Sequence, residues 1–140
     1  MMNAKEFLQQ IKKIENELTM LEHEINDLYT PISAVRFDNV PGVSDADATL
    51  HIVERITELQ SVYSKRMAEL IERRKECLEV IQQMHNANAQ SVIYCRYVQM
   101  MNFRAIARKL VYSRERIMQL HREGLQEVEQ ILATLHIFTL

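Results

Sequence analysis

Glycine and proline are almost absent from this chain. Two residues of each occur in 140, and three of the four fall within residues 30–43. Residues that end helices are therefore confined to one short stretch, while good helix formers such as leucine, glutamate, lysine, arginine and glutamine are plentiful. The sequence predicts an all-α fold of long helices, in a chain long enough for one or two small cores.

The first half of the chain predicts two long helices, each with an apolar seam. Over residues 4–29, apolar residues recur at steps of four and three, the a/d spacing of a coiled coil, at Phe7, Ile11, Ile14, Leu18, Leu21, Ile25 and Leu28. A second helix begins after Ser44, a predicted N-cap, and runs to about residue 84. Its seam is interrupted by Gln60 and Arg74 and comprises Val53, Ile56, Tyr63, Met67, Leu70, Cys77, Ile81 and Met84.

The connection between these helices, residues 30–43, is short, so the second helix is expected to fold back on the first. We therefore predict an antiparallel coiled-coil hairpin over residues 1–85. Because the second helix is longer than the first, part of it is left over, and a homodimer is one expected way of covering it.

Residues 86–140 predict a second domain, a three-helix helix-turn-helix module with an apolar C-terminal extension. A supporting helix is expected over residues 89–100, with Asn86 or Asn88 as its N-cap. Two further helices lie within residues 102–125, separated by a short turn that ends at Ser113, another predicted N-cap. The first has one apolar stripe, formed by Phe103, Ile106, Ala107 and Leu110.

The last of these helices has two different faces. Ile117, Leu120, His121, Gly124 and Leu125 fall on one side, whereas Glu115, Met118, Gln119 and Arg122 fall on the other. The small residues Ala107 and Gly124 are expected to let this helix approach the preceding one. A charged face left free on a helix that is pinned to a shorter one is typical of a helix-turn-helix reader. Spacing alone is equally compatible with a short helical hairpin whose charged face is solvated.

Charge is distributed unevenly along the chain. Residues 91–140 contain seven basic and four acidic residues, a net charge of +3, and since the whole chain carries −2 the first ninety residues carry −5. Within residues 91–122, Glu115 is the single acid among the seven basic residues. This concentration predicts a surface that binds a polyanion. The basic run at residues 73–75 is interpreted as a solvated helix face, with a phosphate contact as the alternative.

The run Ser113-Arg114-Glu115-Arg116-Ile117-Met118-Gln119-Leu120 resembles the recognition helix of region four in bacterial primary sigma factors. The upstream run Phe103-Arg104-Ala105-Ile106-Ala107 resembles that family's aromatic-x-x-Ile-Ala. The layout, a helical hairpin followed by this module, is similar to small phage and prophage transcriptional regulators of the ArpU type. The resemblance implies binding to promoter-like duplex DNA, contact with RNA polymerase and control of phage genes.

Three positions depart from the family pattern. Val111 replaces the usual glycine after the first helix of the motif, so either the turn differs here or a β-branched residue is strained at positive φ. Met118 replaces an arginine that often contacts DNA, and Ala105 replaces a glutamate. The last change makes the module more basic.

The resemblance also assigns roles to individual residues. It implies that Arg114, Glu115 and Gln119 read base edges in the major groove. Contacts to the DNA backbone are expected from Ser113, Arg116, Arg122, Arg104, Arg108 and Lys109.

Catalytic motifs are not found in the sequence. The five histidines and the two cysteines share no metal-ligand spacing, and no glycine-rich phosphate loop occurs. We expect no enzyme activity, metal, cofactor or small-molecule substrate, and two reduced structural thiols. No apolar window is long enough for a membrane span, so a cytoplasmic protein is expected.

Two classes of function are compatible with these features. The first is a sequence-specific regulator of transcription that binds DNA through the helix after Ser113. The second is a protein that works through its coiled coil, either a helical adaptor or a phage DNA-packaging protein similar to small terminase subunits.

Overall fold

The structure, a computed structural model, describes residues 2–35 and 45–139, with side chains for residues 2–30 and 46–135. Its elements are α1 (Ala4–Val35), α2 (Asp45–Gln82), α3 (Ala87–Ile93), a π-helical segment (Tyr94–Val98), α4 (Phe103–Leu110) and α5 (Arg114–Thr139). No strand occurs in these two ranges. The predicted all-α class is confirmed.

The chain divides into two compact units. One comprises Met1–Lys13 and Ile71–Leu140, and the other comprises Ile14–Leu70. The first thirteen residues therefore belong to the unit that contains the helix-turn-helix. The predicted domains, 1–85 and 86–140, remain a prediction about which parts of the chain fold on their own.

The unit Ile14–Leu70 is a pair of antiparallel helices. Arg66 lies 3.0 Å from Glu17, the Tyr63 hydroxyl donates to Glu22 at 2.7 Å, and Gln60 donates to the Tyr29 hydroxyl at 3.4 Å. In these three pairs the residue number on α1 increases as the residue number on α2 decreases, so the two helices run antiparallel.

The seam predicted for α1 is observed, with two additions, Ala4 and Leu8. Ile11, Ile14 and Leu18 are buried, and the remaining predicted positions are partly covered. Leu8, which lies beside the predicted Phe7, is also fully buried. Burial of these side chains supplies the main driving force for pairing the helix.

The seam predicted for α2 is observed in part: Ile56, Tyr63, Leu70, Cys77 and Met84 lie on it, whereas the positions predicted between them are shifted by one residue. Leu59 and Val80 are buried, whereas the predicted Val53 is 45 % exposed. Gln60 and Arg74 lie beside the observed seam and do not interrupt it. Two of its positions are arginines, Arg66 and Arg73, because a long arginine stem can cover apolar surface while its head group pairs with a carboxylate. Steps of three and four run through Ile56, Leu59, Tyr63, Arg66, Leu70, Arg73, Cys77, Val80 and Met84.

The boundaries near the connection also differ from the prediction. Helix α1 was expected to end at residue 29 and instead extends to Val35, passing through Pro31. Proline has no N–H to donate, so the helix continues here with one backbone hydrogen bond missing. Residues 36–43 of the predicted connection and the predicted N-cap Ser44 lie outside the described residues.

The supporting helix begins at its predicted cap and then changes its winding. The Asn86 side chain accepts a hydrogen bond from the Ala89 N–H at 3.1 Å. After Ile93 the chain forms one π-helical stretch that ends before Met100, a residue with φ 57°. The π-helix was not predicted, because a five-residue spacing leaves no distinct pattern in a short sequence.

The N-terminal end of α1 is held by residues distant in sequence. Glu129 of α5 accepts a hydrogen bond from the Ala4 N–H at 2.7 Å, and the Cys77 thiol lies 3.8 Å from the Phe7 carbonyl oxygen. Burial raises the pKa of Cys77 to about 12. Both cysteines are buried and free, as predicted for structural thiols.

Helix α5 continues well beyond the helix-turn-helix. Val128 is fully buried, whereas Ile131 and Leu132 are partly exposed. The apolar residues Ile137, Phe138 and Leu140 of the predicted C-terminal extension have side chains outside the described set. In the part of the chain that the structure describes, no helix combines the length and the apolar character needed to cross a bilayer.

Gly124 permits a close helix crossing, but with α3 instead of the predicted α4. A Cβ atom at Gly124 would lie 2.6 Å from Ile93 Cγ1 and 3.4 Å from the Ala89 carbonyl oxygen. The expectation that Gly124 and Ala107 meet at one crossing is therefore wrong. Sequence spacing identified the small residue, but it did not specify which helix lies against it.

We predict that Gly124→Ala lowers the free energy of unfolding by about 1 kcal/mol. The clash with Ile93, about 1–3 kcal/mol, outweighs the helix preference of alanine, about 1 kcal/mol. In an Ile93→Ala background the same substitution should stabilise, because the clashing atoms are gone. Urea unfolding of the four proteins in this cycle measures both effects, and stabilisation by Gly124→Ala in the wild-type background would contradict the prediction.

Candidate nucleic-acid interface

Helix α4 is the short first helix of the motif. The Asn102 side chain accepts a hydrogen bond from the Ala105 N–H at 2.8 Å and so caps its N-terminus. Ile106 is fully buried, while Arg104, Arg108 and Lys109 are exposed. The apolar stripe of α4 thus faces the core and its basic residues face outward.

The turn after α4 has the left-handed geometry that the resemblance implies. Val111 adopts φ 58° and ψ 49°, and the Tyr112 N–H donates to the Ala107 carbonyl at 3.1 Å, a Schellman-type helix end. Of the two alternatives left open by the sequence, the turn is retained and the valine is strained. The Val111 side chain is 85 % exposed, so burial offsets little of that strain.

Helix α5 begins at Arg114 and is capped as predicted. The Ser113 hydroxyl accepts a hydrogen bond from the Arg116 N–H at 3.1 Å, and the Ser113 carbonyl accepts one from the Ile117 N–H at 3.0 Å. The three-residue turn therefore fixes the direction in which the first turn of α5 leaves α4.

The two predicted faces of α5 are observed. On the inner face Ile117 and Leu120 are fully buried. On the outer face Glu115, Gln119 and Arg122 are exposed and Met118 is partly exposed. The outer face is therefore available to a ligand over the first two to three turns of the helix.

A cluster of rings joins α4, α5 and the π-helical segment. The Tyr97 hydroxyl lies 2.8 Å from His121 Nε2, and the Phe103 ring meets the His121 ring edge-on at 5.0 Å. The Arg96 guanidinium lies 4.3 Å from the centre of the Phe103 ring, a cation–π contact. Arg96, one of the seven basic residues in the sequence count, thus has a structural role.

Burial has a further effect on this cluster. It lowers the pKa of His121 below its ordinary value of 6.5, and the positive charges of Arg96, Lys5 and Arg122 lower it further. Burial also raises the pKa of Tyr97. Both groups are consequently neutral near pH 7, which suits a partly buried hydrogen-bonded pair.

The exposed arginines of the motif differ in their ion pairing from the arginines of α2. On α2, Arg55, Arg66 and Arg73 each pair with a carboxylate between 2.7 and 3.2 Å away. In contrast, four exposed arginines of the motif form no ion pair with any described residue: Arg104, Arg108, Arg114 and Arg122. Their charges are uncompensated, as a phosphate-binding surface requires.

Two further basic residues predicted to contact DNA have partners within the motif. Lys109 donates to the Gln99 side chain at 3.1 Å, and Arg116 donates to Gln119 Oε1 at 3.0 Å. Both partners are neutral, so both positive charges are retained. Arg73, from the basic run of α2, pairs with Glu76 at 2.8 Å. This ion pair disfavours the alternative that Arg73 contacts a phosphate.

A groove lies between α4 and the start of α5. Its volume is about 910 Å³, and it is lined by Asn102, Phe103, Arg104, Ala107, Arg108, Val111, Tyr112 and Arg114. Three arginines therefore converge on a concave surface at the edge of the exposed face of α5. The sequence indicated the arginines but not Tyr112 or Asn102, because their contribution depends on the path of the turn.

A side-chain network that the sequence analysis missed begins at Gln119. Gln119 Nε2 donates to Glu123 Oε1 at 3.2 Å, and Glu123 Oε2 accepts from Asn86 Nδ2 at 3.4 Å. The spacing of Arg116, Gln119 and Glu123, three and then four residues apart on one helix, was the available signal.

Residues 86–130 match the family model for Sigma-70, region 4. The match covers α3, the π-helical segment, α4 and the first part of α5. Neither a comparison with curated proteins nor one with solved structures gave a match. The C-terminal module is thus a sigma region 4-like, DNA-binding helix-turn-helix domain.

We predict that Val111→Gly raises the free energy of unfolding by about 0.5–1 kcal/mol. Left-handed backbone costs a residue with a Cβ atom about 1–2 kcal/mol, and the entropy of glycine in the unfolded chain offsets part of the gain. Ala105→Gly, a change within α4 at ordinary helical φ, is the matched control and should destabilise by about 1 kcal/mol. Thermal unfolding that ranks the two variants in the opposite order would contradict a strained turn.

We predict that His121 makes the protein less stable at acid pH. Because its pKa is lower in the folded than in the unfolded chain, the unfolded chain binds the proton first, and stability falls as pH drops below about 6.5. His121→Phe lacks this titrating group. Between pH 7 and pH 5 the wild type should therefore lose more unfolding free energy than the variant does. The exposed His23→Gln serves as the control, and a difference between wild type and His121→Phe that is constant with pH would argue against the assignment.

Proposed function

We propose that this protein is a sequence-specific duplex DNA-binding regulator of transcription, of the phage or prophage type, that places the N-terminal half of α5 in the major groove. The observation that carries the proposal is the combination on one surface of an exposed outer face of α5 and four unpaired arginines around it. Recognition helices of this class contact base edges chiefly through their N-terminal residues.

The proposed base readers are Arg114, Glu115 and Gln119. All three are exposed on the first two turns of α5. Arginine can donate two hydrogen bonds to guanine, glutamate can accept from cytosine N4, and glutamine can pair with adenine. Chemistry of this kind at three successive outward positions supports reading of a short base sequence.

The proposed backbone contacts lie on both sides of the readers. Arg104 and Arg108 line the groove beside α4, while Arg116, Arg122 and Lys109 supply further positive charge. The Ser113 oxygen accepts from the Arg116 N–H, so its own O–H remains able to donate to a phosphate. These contacts would orient the domain and make its affinity dependent on salt.

The helical hairpin supports a separate role in regulation. The unit Ile14–Leu70 contains eleven acidic and four basic residues, a net charge of −7. A surface of this charge is repelled by phosphates, which favours protein partners such as RNA polymerase or a second copy of the chain. Control of transcription then requires only that the DNA-binding domain recruit or displace such a partner.

Fluorescence anisotropy with duplexes selected by the full-length protein from a randomised library tests the proposal. We expect wild type to prefer selected over random duplex, and Glu115→Ala to relax that preference at one base pair. Arg104→Ala should weaken all duplexes about equally and reduce the slope of log K against log salt by about 1. Arg114→Ala should lower discrimination at its base pair by about 5- to 150-fold, the equivalent of about 1–3 kcal/mol.

Arg55→Ala and Glu24→Ala, substitutions of exposed residues on α2 and α1, are matched controls and should leave DNA binding unchanged. Binding by wild type without sequence preference would favour a packaging or architectural role. The absence of binding would overturn the DNA-binding proposal and favour an adaptor.

A further inference from the structure

We propose that Glu123 and Arg116 are positioning residues that set the orientation of the Gln119 amide and thereby the base that Gln119 selects. This inference rests on the proposed function and adds to it a source of specificity outside the direct readers. Neither Glu123 nor a hydrogen-bonded role for Arg116 follows from the resemblance to sigma factors.

The amide of Gln119 lies between a group that only donates and a group that only accepts. Its Oε1 accepts from Arg116 Nη1 at 3.0 Å, and its Nε2 donates to Glu123 Oε1 at 3.2 Å. A guanidinium has no acceptor and a carboxylate has no donor. Rotating the amide by 180° would place Nε2 against the guanidinium and Oε1 against the carboxylate, so one orientation is strongly favoured.

The carboxylate is itself fixed by the N-terminus of α3. Glu123 Oε2 accepts from Asn86 Nδ2 at 3.4 Å. The other atom of that amide, Asn86 Oδ1, accepts from the Ala89 N–H at 3.1 Å as the helix cap, so Asn86 can present only its nitrogen to Glu123. A backbone N–H of α3 therefore determines, through Asn86 and Glu123, the orientation of the Gln119 amide on the exposed face of α5.

Gln119 still has hydrogen-bonding capacity for DNA. A glutamine amide has two N–H donors and two acceptor lone pairs, and the network occupies one of each. The remaining donor and acceptor are what a bidentate contact to adenine N7 and N6 requires. Since the amide cannot exchange its two ends, the donor and acceptor meet the base pair in one order.

The test uses the full chain and a duplex that wild type selects from a randomised library. Each position of the duplex is varied, and the position at which Gln119→Ala loses discrimination is identified as the one read by Gln119. At that position we expect Glu123→Gln to lower the ratio of Kd values between the other bases and the preferred base by roughly 5- to 10-fold. In this variant Asn86 Nδ2 holds the oxygen of the new amide, so the NH2 group of that amide faces Gln119 and can no longer accept from Gln119 Nε2. Gln119 then lies between two donors, and its amide orientation is no longer unique.

The ratio of Kd values separates positioning from simple charge. Removing a negative charge near DNA strengthens binding to every base alike and cancels in the ratio. Glu24→Gln, the same change of charge on α1, should leave the ratio at its wild-type value. A ratio in Glu123→Gln equal to that of wild type would overturn the inference and leave the proposed function standing.

A second measurement on the same variants needs no DNA. The Gln119 side-chain NH2 group should give a rigid signal in ¹⁵N relaxation of wild type and a mobile one in Glu123→Gln. Equal mobility in the two proteins would overturn the positioning role. Wild type that binds DNA with no base preference would overturn the proposed function and this inference together, whereas the relaxation result would still report on the network.

Discussion

The close packing of α5 on α3 at Gly124 is the contact on which the DNA-binding surface depends. With no Cβ at this position, Ile93 and the Ala89 carbonyl approach the backbone of α5 directly. The same crossing brings Glu123 to Asn86 and Glu127 to the backbone N–H groups of His85 and Asn86. Both acidic residues are thereby directed to the N-terminus of α3, and Arg122 beside them forms no ion pair with a described residue.

Electrostatics divides the chain as clearly as packing does. In the hairpin, Arg55 and Arg66 pair with carboxylates on the same or the opposite helix. In the helix-turn-helix the exposed arginines project from α4 and α5 without acidic partners among the described residues. Exposed ion pairs contribute little to stability, whereas unpaired arginines bind phosphates and release counterions. The unpaired arginines therefore fit the proposed binding of phosphates better than a role in folding.

The sequence was sufficient to predict the helices, the two faces of α5, its cap at Ser113 and the partly buried His121. It also gave Asn86 as one of two candidates for the cap of α3. The prediction failed where a side chain has an apolar part that can be buried and a charged part that stays exposed. Arg66 and Arg73 occupy seam positions while their head groups pair with carboxylates, so hydropathy alone placed every second position of the α2 seam one residue too far along the chain. The partner of Gly124, the π-helical segment and the Gln119 network depend on how helices cross, which no local pattern specifies.

Helix α5 is uninterrupted from the first proposed reader to Glu129, the residue that accepts from the Ala4 N–H at the start of α1. The distance along the axis between Arg114 and Glu129 is about 22 Å at 1.5 Å per residue. A stiff rod of this length transmits a tilt at one end as a displacement at the other, about 4 Å for a tilt of about 10°. Under the proposed function, a duplex that tilted the reader end of α5 would therefore also move the residue that anchors the start of α1.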